Sequence, residues 1–112
     1  MKQVTAIIKP FRLNEVRDAL NAIGVSGLTV TQVQGYGRQR GQGAVYRGPE
    51  YEVKFIPKLK VEVLVANEHA DKVFETILKE ARTGQLGDGK IYVNDVEKVA
   101  RIRTGELDGE AV

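Results

Sequence analysis

Two stretches of this chain run through the same order of strand, helix and strand, with a glycine-rich insert between them. That doubled order restricts the fold more than any other feature. In the first stretch, Val4, Ala6 and Ile8 alternate with Thr5 and Ile7 over Lys2 to Lys9, the period of a half-buried strand. Pro10 ends it. Leu13, Val16, Leu20 and Ile23 then recur at helical spacing, with Glu15, Arg17, Asp18 and Asn21 off the stripe. Gly24 suits the left-handed position past a helix end. Gly27 opens a second strand, Leu28 to Tyr36, rich in Thr and Val. In the second stretch, Lys58 to Val65 is a strand with Val61, Val63 and Val65 on one face. Asn67 is the expected N-cap of a helix marked by Ala70, Val73, Ile77, Leu78 and Ala81, and Gly84 marks its end. TGQLGDGK leads into a strand from Ile91 to Val96. An extended piece, Val99 to Thr104, precedes a polar tail, Gly105 to Val112.

A doubled strand–helix–strand unit of this kind predicts an α+β fold. The expected arrangement is ferredoxin-like, a double βαβ sandwich in which one four-stranded antiparallel sheet carries both helices on one face. The 112 residues make one domain. The other sheet face carries Thr5, Ile7, Thr29, Thr31, Val33, Glu62, Leu64 and Tyr92, which is too apolar to be left wholly in water. Burial against further copies of the chain, a homo-oligomer, is the expected remedy. The alternative is a monomer whose second face tolerates water.

The insert, Gly35 to Phe55, reads GYGRQRGQGAVYRGPEYEVKF. Five glycines break helix and strand, and Arg38, Arg40 and Arg47 meet no acidic residue before Glu50. A loop of this length in a small domain usually has a task of its own. Tyr36, Tyr46 and Tyr51 are three of the four tyrosines, and tyrosine in such a loop suits protein contact or covalent modification.

Several function classes are excluded or disfavoured. The chain has no cysteine, so disulfides and thiolate chemistry are out. The one histidine, His69, stands among polar helical residues without an evident partner. No apolar run is long enough to span a bilayer, and the N-terminus lacks a signal-peptide cleavage site, which gives a cytoplasmic expectation by default. A formal charge of +2 does not argue nucleic-acid binding. No nucleophile, base and acid are spaced as a catalytic set, so a binding module for an anion is favoured over an enzyme.

Three motifs suit an anion. Gly84-x4-Gly89-Lys90 has the spacing of a phosphate-binding P-loop, but Ile91 stands where Ser or Thr is needed, and the loop runs from helix to strand. As a P-loop it is a false match. Gly87 and Gly89 can still turn backbone N–H groups toward an anion, and Lys90 adds charge; a helix end followed by a tight turn is the plainer alternative. Arg101 and Arg103, two apart on an extended piece, would point the same way and suit a phosphate, or else pair with Glu106 or Asp108. Lys58 and Lys60 share a face beyond the loop and Lys9 ends the first strand; the plainer alternative is lysines that protect a sheet edge.

Taken in order, IIKPFRLNEVRDAL, GLTVTQVQGYGRQRG, YRGPEY, KLKVEV, TGQLGDGKIYV and RIRTGE make the chain resemble the PII nitrogen-regulatory signal proteins over essentially its whole length. The resemblance implies a homotrimer with ATP or ADP in three clefts between subunits. Gly87, Asp88, Gly89 and Lys90 would line the phosphates, with Arg101 and Arg103 reaching in from the adjacent subunit. Gly37, Arg38 and Gln39 would approach from the loop base, and Ile7, Thr29, Glu62 and Leu64 would contact the adenosine. It further implies 2-oxoglutarate bound beside ATP through Mg2+, with Gln39 as the metal ligand and Lys58 on a ligand carboxylate. Backbone at Gln39 and Gly87 would help, and Lys9 would add charge. Residues 37–55 correspond to the family's flexible effector loop, whose setting reports ATP against ADP and the 2-oxoglutarate level as an allosteric signal. Partners implied are an ammonium transporter, a nucleotidyltransferase or N-acetylglutamate kinase, with membrane contact only through a transporter. Tyr51 matches the family's uridylylated tyrosine. Pro49 stands where many cyanobacterial relatives carry a phosphorylated Ser, and it stiffens the loop tip. The competing reading is a small RNA-binding module using the Arg/Gly/Tyr loop, weakened by Thr and Val on the central strands where aromatic pairs are needed.

Overall fold

The computed structural model of the protein describes residues 1–38 and 53–112, excepting the side chains of 37, 38, 53 and 54. Six elements follow the expected order. They are β1 (Lys2–Ile8), α1 (Leu13–Ala22), β2 (Thr29–Arg38), β3 (Val53–Val65), α2 (Ala70–Ala81) and β4 (Ile91–Asp95). The strands pair as β2-β3-β1-β4, and every neighbouring pair is antiparallel. This is the ferredoxin-like sheet. β1 and β3 occupy its middle and supply most of the buried strand residues, Val4, Ala6, Ile8, Val61, Val63 and Val65.

Register sets the two faces. Val4 lies opposite Val63 and Val93, and Ala6 opposite Val61 and Ile91. Val4, Ala6, Ile8, Val61, Val63 and Val65 form the sheet side of the core, with Ile91 packed against it, facing Val16 and Leu20 of α1 and Ala70, Val73 and Ile77 of α2; Val93 is exposed. Leu20 and Ile77 have no exposed surface, and burying each stabilises the fold by about 1.5–3 kcal/mol. Neither helix has a side-chain cap at its start, so packing rather than end chemistry holds them. The Arg12 guanidinium donates to the Glu80 carbonyl at 2.7 Å, which ties the entrance of α1 to an otherwise unpaired carbonyl near the end of α2.

The opposite face carries Thr5, Ile7, Thr29, Thr31, Val33, Glu62, Leu64 and Tyr92, as the alternation required. Thr5 is buried among its neighbours, whereas Leu64 and Tyr92 are 44% and 46% exposed.

Several local expectations are corrected. The second strand runs on to Arg38 and the third begins at Val53, where Tyr36 and Lys58 were the expected limits. Asn67 does not cap α2: Asn67–His69 form a 3-10 turn, and His69 holds the cap position without a side-chain bond. Helix α2 ends at Ala81, three residues before Gly84, whose φ of 80° places it in the following turn. Val99 to Thr104 is extended only at its start, where Ala100 bridges Leu107 antiparallel; residues 102–104 turn. Arg101 accepts at its carbonyl from Gly105 N at 2.7 Å and donates its own N–H to the Glu106 carbonyl at 2.8 Å, which closes a turn. The tail holds a short 3-10 turn, Asp108–Glu110.

Candidate functional site

The turn between α2 and β4 is built from its polar side chains inward. Asp88 faces into the turn, where its Oδ2 accepts the Thr83 and Gly84 N–H groups, both at 2.9 Å. Its Oδ1 accepts the Thr83 hydroxyl at 2.7 Å. Lys9, just past β1, donates to the Thr83 hydroxyl oxygen at 3.2 Å and lies 3.5 Å from Asp88 Oδ1. Partial burial disfavours the Asp88 charge, but the hydroxyl, the two N–H groups and Lys9 outweigh it and hold the carboxyl at about 2.

Two glycines shape the backbone here. Gly87 has a φ of 93°, which a side chain would strain. At Gly89 a Cβ would lie 2.0 Å from the Ile7 carbonyl oxygen. The chain therefore runs flat against β1, where the Lys90 carbonyl accepts the Ile7 N–H at 2.9 Å.

From β3, the Lys58 ammonium donates to the Gly87 carbonyl. Lys58 is only 7% exposed. Burial pushes its ammonium below the ordinary lysine range, Lys9 adds repulsion, and Asp88 partly offsets both. The lysine that protects a sheet edge is thus not what Lys58 is, because β3 is an interior strand. A cation so buried, with a carbonyl as its partner among the described residues and a second ammonium nearby, leaves positive charge to be neutralised by an anion.

The remaining sequence-derived residues are spread along the sheet, with Ile7 opposite Lys60 and two positions from Thr5, the partner of Glu62. Ile7, Lys9, Lys58 and the Gly87–Lys90 turn stand at one end, and the backbones of Gly37 and Arg38 lie beyond them, paired with Lys54 and Val53. Glu62 and Leu64 lie four and six residues further along β3 than Lys58, about 13 and 20 Å at 3.3 Å per residue. Thr29 is opposite Glu62, and Leu64 opposite Gln3. The Gln3 side-chain amide donates to the Glu62 carboxylate. The turn with Arg101 and Arg103 follows β4 at this same far end, where Val96 N bonds the Met1 carbonyl. Arg101 lies 3.7 Å from Glu106, and Ile102 between the two arginines is fully exposed. The arginines do not stand side by side on a strand, and one chain does not bring them to Gly87. Gln39, Tyr46, Pro49 and Tyr51 lie outside the described residues.

Thr83 is the residue that sequence reading missed. Its signal was present: Thr-Gly followed by Gly-Asp-Gly is a composition in which hydroxyl and carboxylate bond to backbone. Among the described residues no three His, Cys, Asp or Glu side chains gather to hold a metal. A Mg2+ ion here would therefore take most of its oxygen ligands from a bound phosphate or oxo acid, which suits its chemistry. Of the described aromatic residues, Tyr92 stands opposite Thr5 on the open sheet face, and Tyr36 pairs with Phe55 across β2 and β3. No described helix is long and apolar enough to cross a membrane.

The family model for nitrogen regulatory protein P-II matches residues 1–106. The chain is 60% identical to nitrogen regulatory protein P-II of Rhizobium etli over 112 residues, all of both chains. It is 54% identical to nitrogen regulatory protein GlnK of Escherichia coli K12 and 53% identical to nitrogen regulatory protein P-II of Pasteurella multocida, again over the full length of each.

Proposed function

This chain belongs to the nitrogen regulatory protein P-II family, and we propose that it reports nucleotide and 2-oxoglutarate levels to partner proteins through residues 37–55. The family consists of signal-transduction regulators, so the chain is a nitrogen-signalling regulator and not an enzyme. The observation that carries the ligand reading is Lys58, buried beside Lys9 and turned onto a glycine turn. Two ammonium groups, one from β3 and one just past β1, suit a carboxylate or phosphate there.

The split of the site residues supports a cleft between copies. One subunit offers Ile7, Gly37, Arg38, Gln39 and the Gly87–Lys90 turn. Its neighbour offers Thr29, Glu62 and Leu64 to the adenosine, with Arg101 and Arg103 for the phosphates. A homotrimer closed on the open sheet faces makes three such clefts. Mg2+ would be held by Gln39 together with ligand oxygens, and it would link ATP to the 2-oxo acid. Lys58 takes a ligand carboxylate and Lys9 adds charge. Because Gln39 is part of the 37–55 stretch, occupancy of the cleft and the setting of that stretch are coupled. Partners are an ammonium transporter, a nucleotidyltransferase or N-acetylglutamate kinase, in the cytoplasm, and Tyr51 is the site for uridylylation.

Calorimetry of 2-oxoglutarate with Mg-ATP, with Mg-ADP and with ATP plus EDTA tests this. Binding with Mg-ATP alone is expected. ATP binding without any 2-oxoglutarate binding would leave an energy sensor only, and absence of nucleotide binding would sink the ligand reading. Gln39→Glu is expected to impair 2-oxoglutarate binding more than ADP binding; equal loss of both ligands would refute the metal role of Gln39.

A further inference from the structure

We propose that Asp88 is a positioning residue: its carboxylate folds the 83–88 turn onto itself and so fixes where the Gly87 carbonyl and the N–H groups after it face Lys58 and a bound anion. The inference rests on the anion-binding reading of this turn. It departs from the sequence-derived assignment, in which Asp88 lines the phosphates.

Both carboxylate oxygens are committed inside the turn. Oδ2 takes two N–H groups and Oδ1 takes the Thr83 hydroxyl. The Thr83 oxygen in turn accepts from Lys9 Nζ at 3.2 Å and from Gln85 N at 3.1 Å. Helix α2 ends at Ala81, so the Thr83 and Gly84 N–H groups have no helical partner and need one. The Asp88 side chain supplies it. A carboxylate facing outward would repel a phosphate; facing inward, it holds its charge away from the ligand and against Lys9. The knot also divides the two lysines. Lys9 has a carboxylate beside it, while Lys58 has a carbonyl and stays the cation with charge to give. A turn fixed before binding loses less freedom when the anion arrives, which favours affinity.

The test uses the full chain, with ADP as the probe. Hydrogen exchange of the Thr83 and Gly84 amides is followed by NMR without ligand, and ADP affinity by calorimetry. In Asp88→Ala both amides are expected to exchange at least about tenfold faster and ADP to bind about tenfold more weakly, the scale of one charge-assisted hydrogen bond. Asp88→Asn, whose amide oxygen can still accept both N–H groups, is expected to keep most of both. Weaker ADP with unchanged exchange would make Asp88 a direct contact and overturn the proposal. Faster exchange with unchanged ADP affinity would overturn it too, as would no change in either. Thr83→Val repeats the test with the carboxylate intact: Gly84 exchange rises several-fold if the knot positions the turn and stays at the wild-type rate if it does not. A wild-type protein that binds no ADP would fail the reading beneath the inference, whatever Asp88→Ala does to exchange.

Discussion

Lys58 is expected to act in opposite directions on stability and on the proposed binding. Its burial is unfavourable, since the ammonium is held below the ordinary lysine range, and an apolar residue of similar length would fill the space without that cost. Lys58→Met is therefore expected to leave the urea midpoint unchanged or raised, while 2-oxoglutarate affinity falls at least about tenfold. Loss of both would mark Lys58 as structural. At Gly89 the constraint is steric. A methyl group would collide with the Ile7 carbonyl, so Gly89→Ala is expected to destabilise by about 1–3 kcal/mol, the usual scale of overpacking, read from urea unfolding. Asp88 gives a pH signature. Its folded value, about 2, lies below the ordinary value of about 3.9 for an unfolded Asp. A depressed carboxyl contributes stability above its unfolded value and loses it as pH falls through the folded one. The stability gap between wild type and Asp88→Asn is thus expected to be full above pH about 4 and to shrink toward pH about 2. A gap that stays constant over that range would remove the charge from the account.

The β2–β3 ribbon shows where local signals misled. Gly35 and Gly37 read as breakers, yet both lie within paired strands, with Gly35 opposite Ile56 and Gly37 opposite Lys54. A ladder supported on both sides by cross-strand pairs tolerates them. One such pair is Tyr36 and Phe55, whose ring centres are 4.6 Å apart. Phe55→Ala is expected to lose about 0.5–1.5 kcal/mol of local stability, read as faster amide exchange near Tyr36 with β1 unaffected. Unchanged exchange there would mean the ring pair does not hold the ribbon. The turn at Arg101 misled in the other direction. Its Thr-Gly signal sits inside RIRTGE, and Gly105 does take a φ of 75°, but an alternating Arg-Ile-Arg reads as strand. The exposed Ile102 is the result of that turn.

At the scale of the molecule, the Gly87–Lys90 turn and the Arg101–Arg103 turn stand at opposite ends of one sheet, and the proposed site needs a second copy to bring them together. Arg103→Ala is expected to weaken ATP by roughly 1–3 kcal/mol, and Lys90→Ala to weaken it comparably. Mixed after dissociation, the two variants are expected to regain strong ATP binding at a fraction of the clefts, where both intact halves meet; no recovery would place the arginines and the turn in one subunit's site. Much of this architecture was legible from residues alone. The alternation of Val4, Ala6 and Ile8 and the spacing of Val16, Leu20, Val73 and Ile77 determined the strands, the helices and the sheet face left uncovered, because those periods are local to a few residues. Tertiary structure alone decided that Lys58 is interior, that Asp88 turns inward and that the arginines lie far from Gly87. Those outcomes depend on strand order and on contacts such as Lys58 with Gly87, 29 positions apart, and no local pattern encodes which distant backbone a side chain will meet.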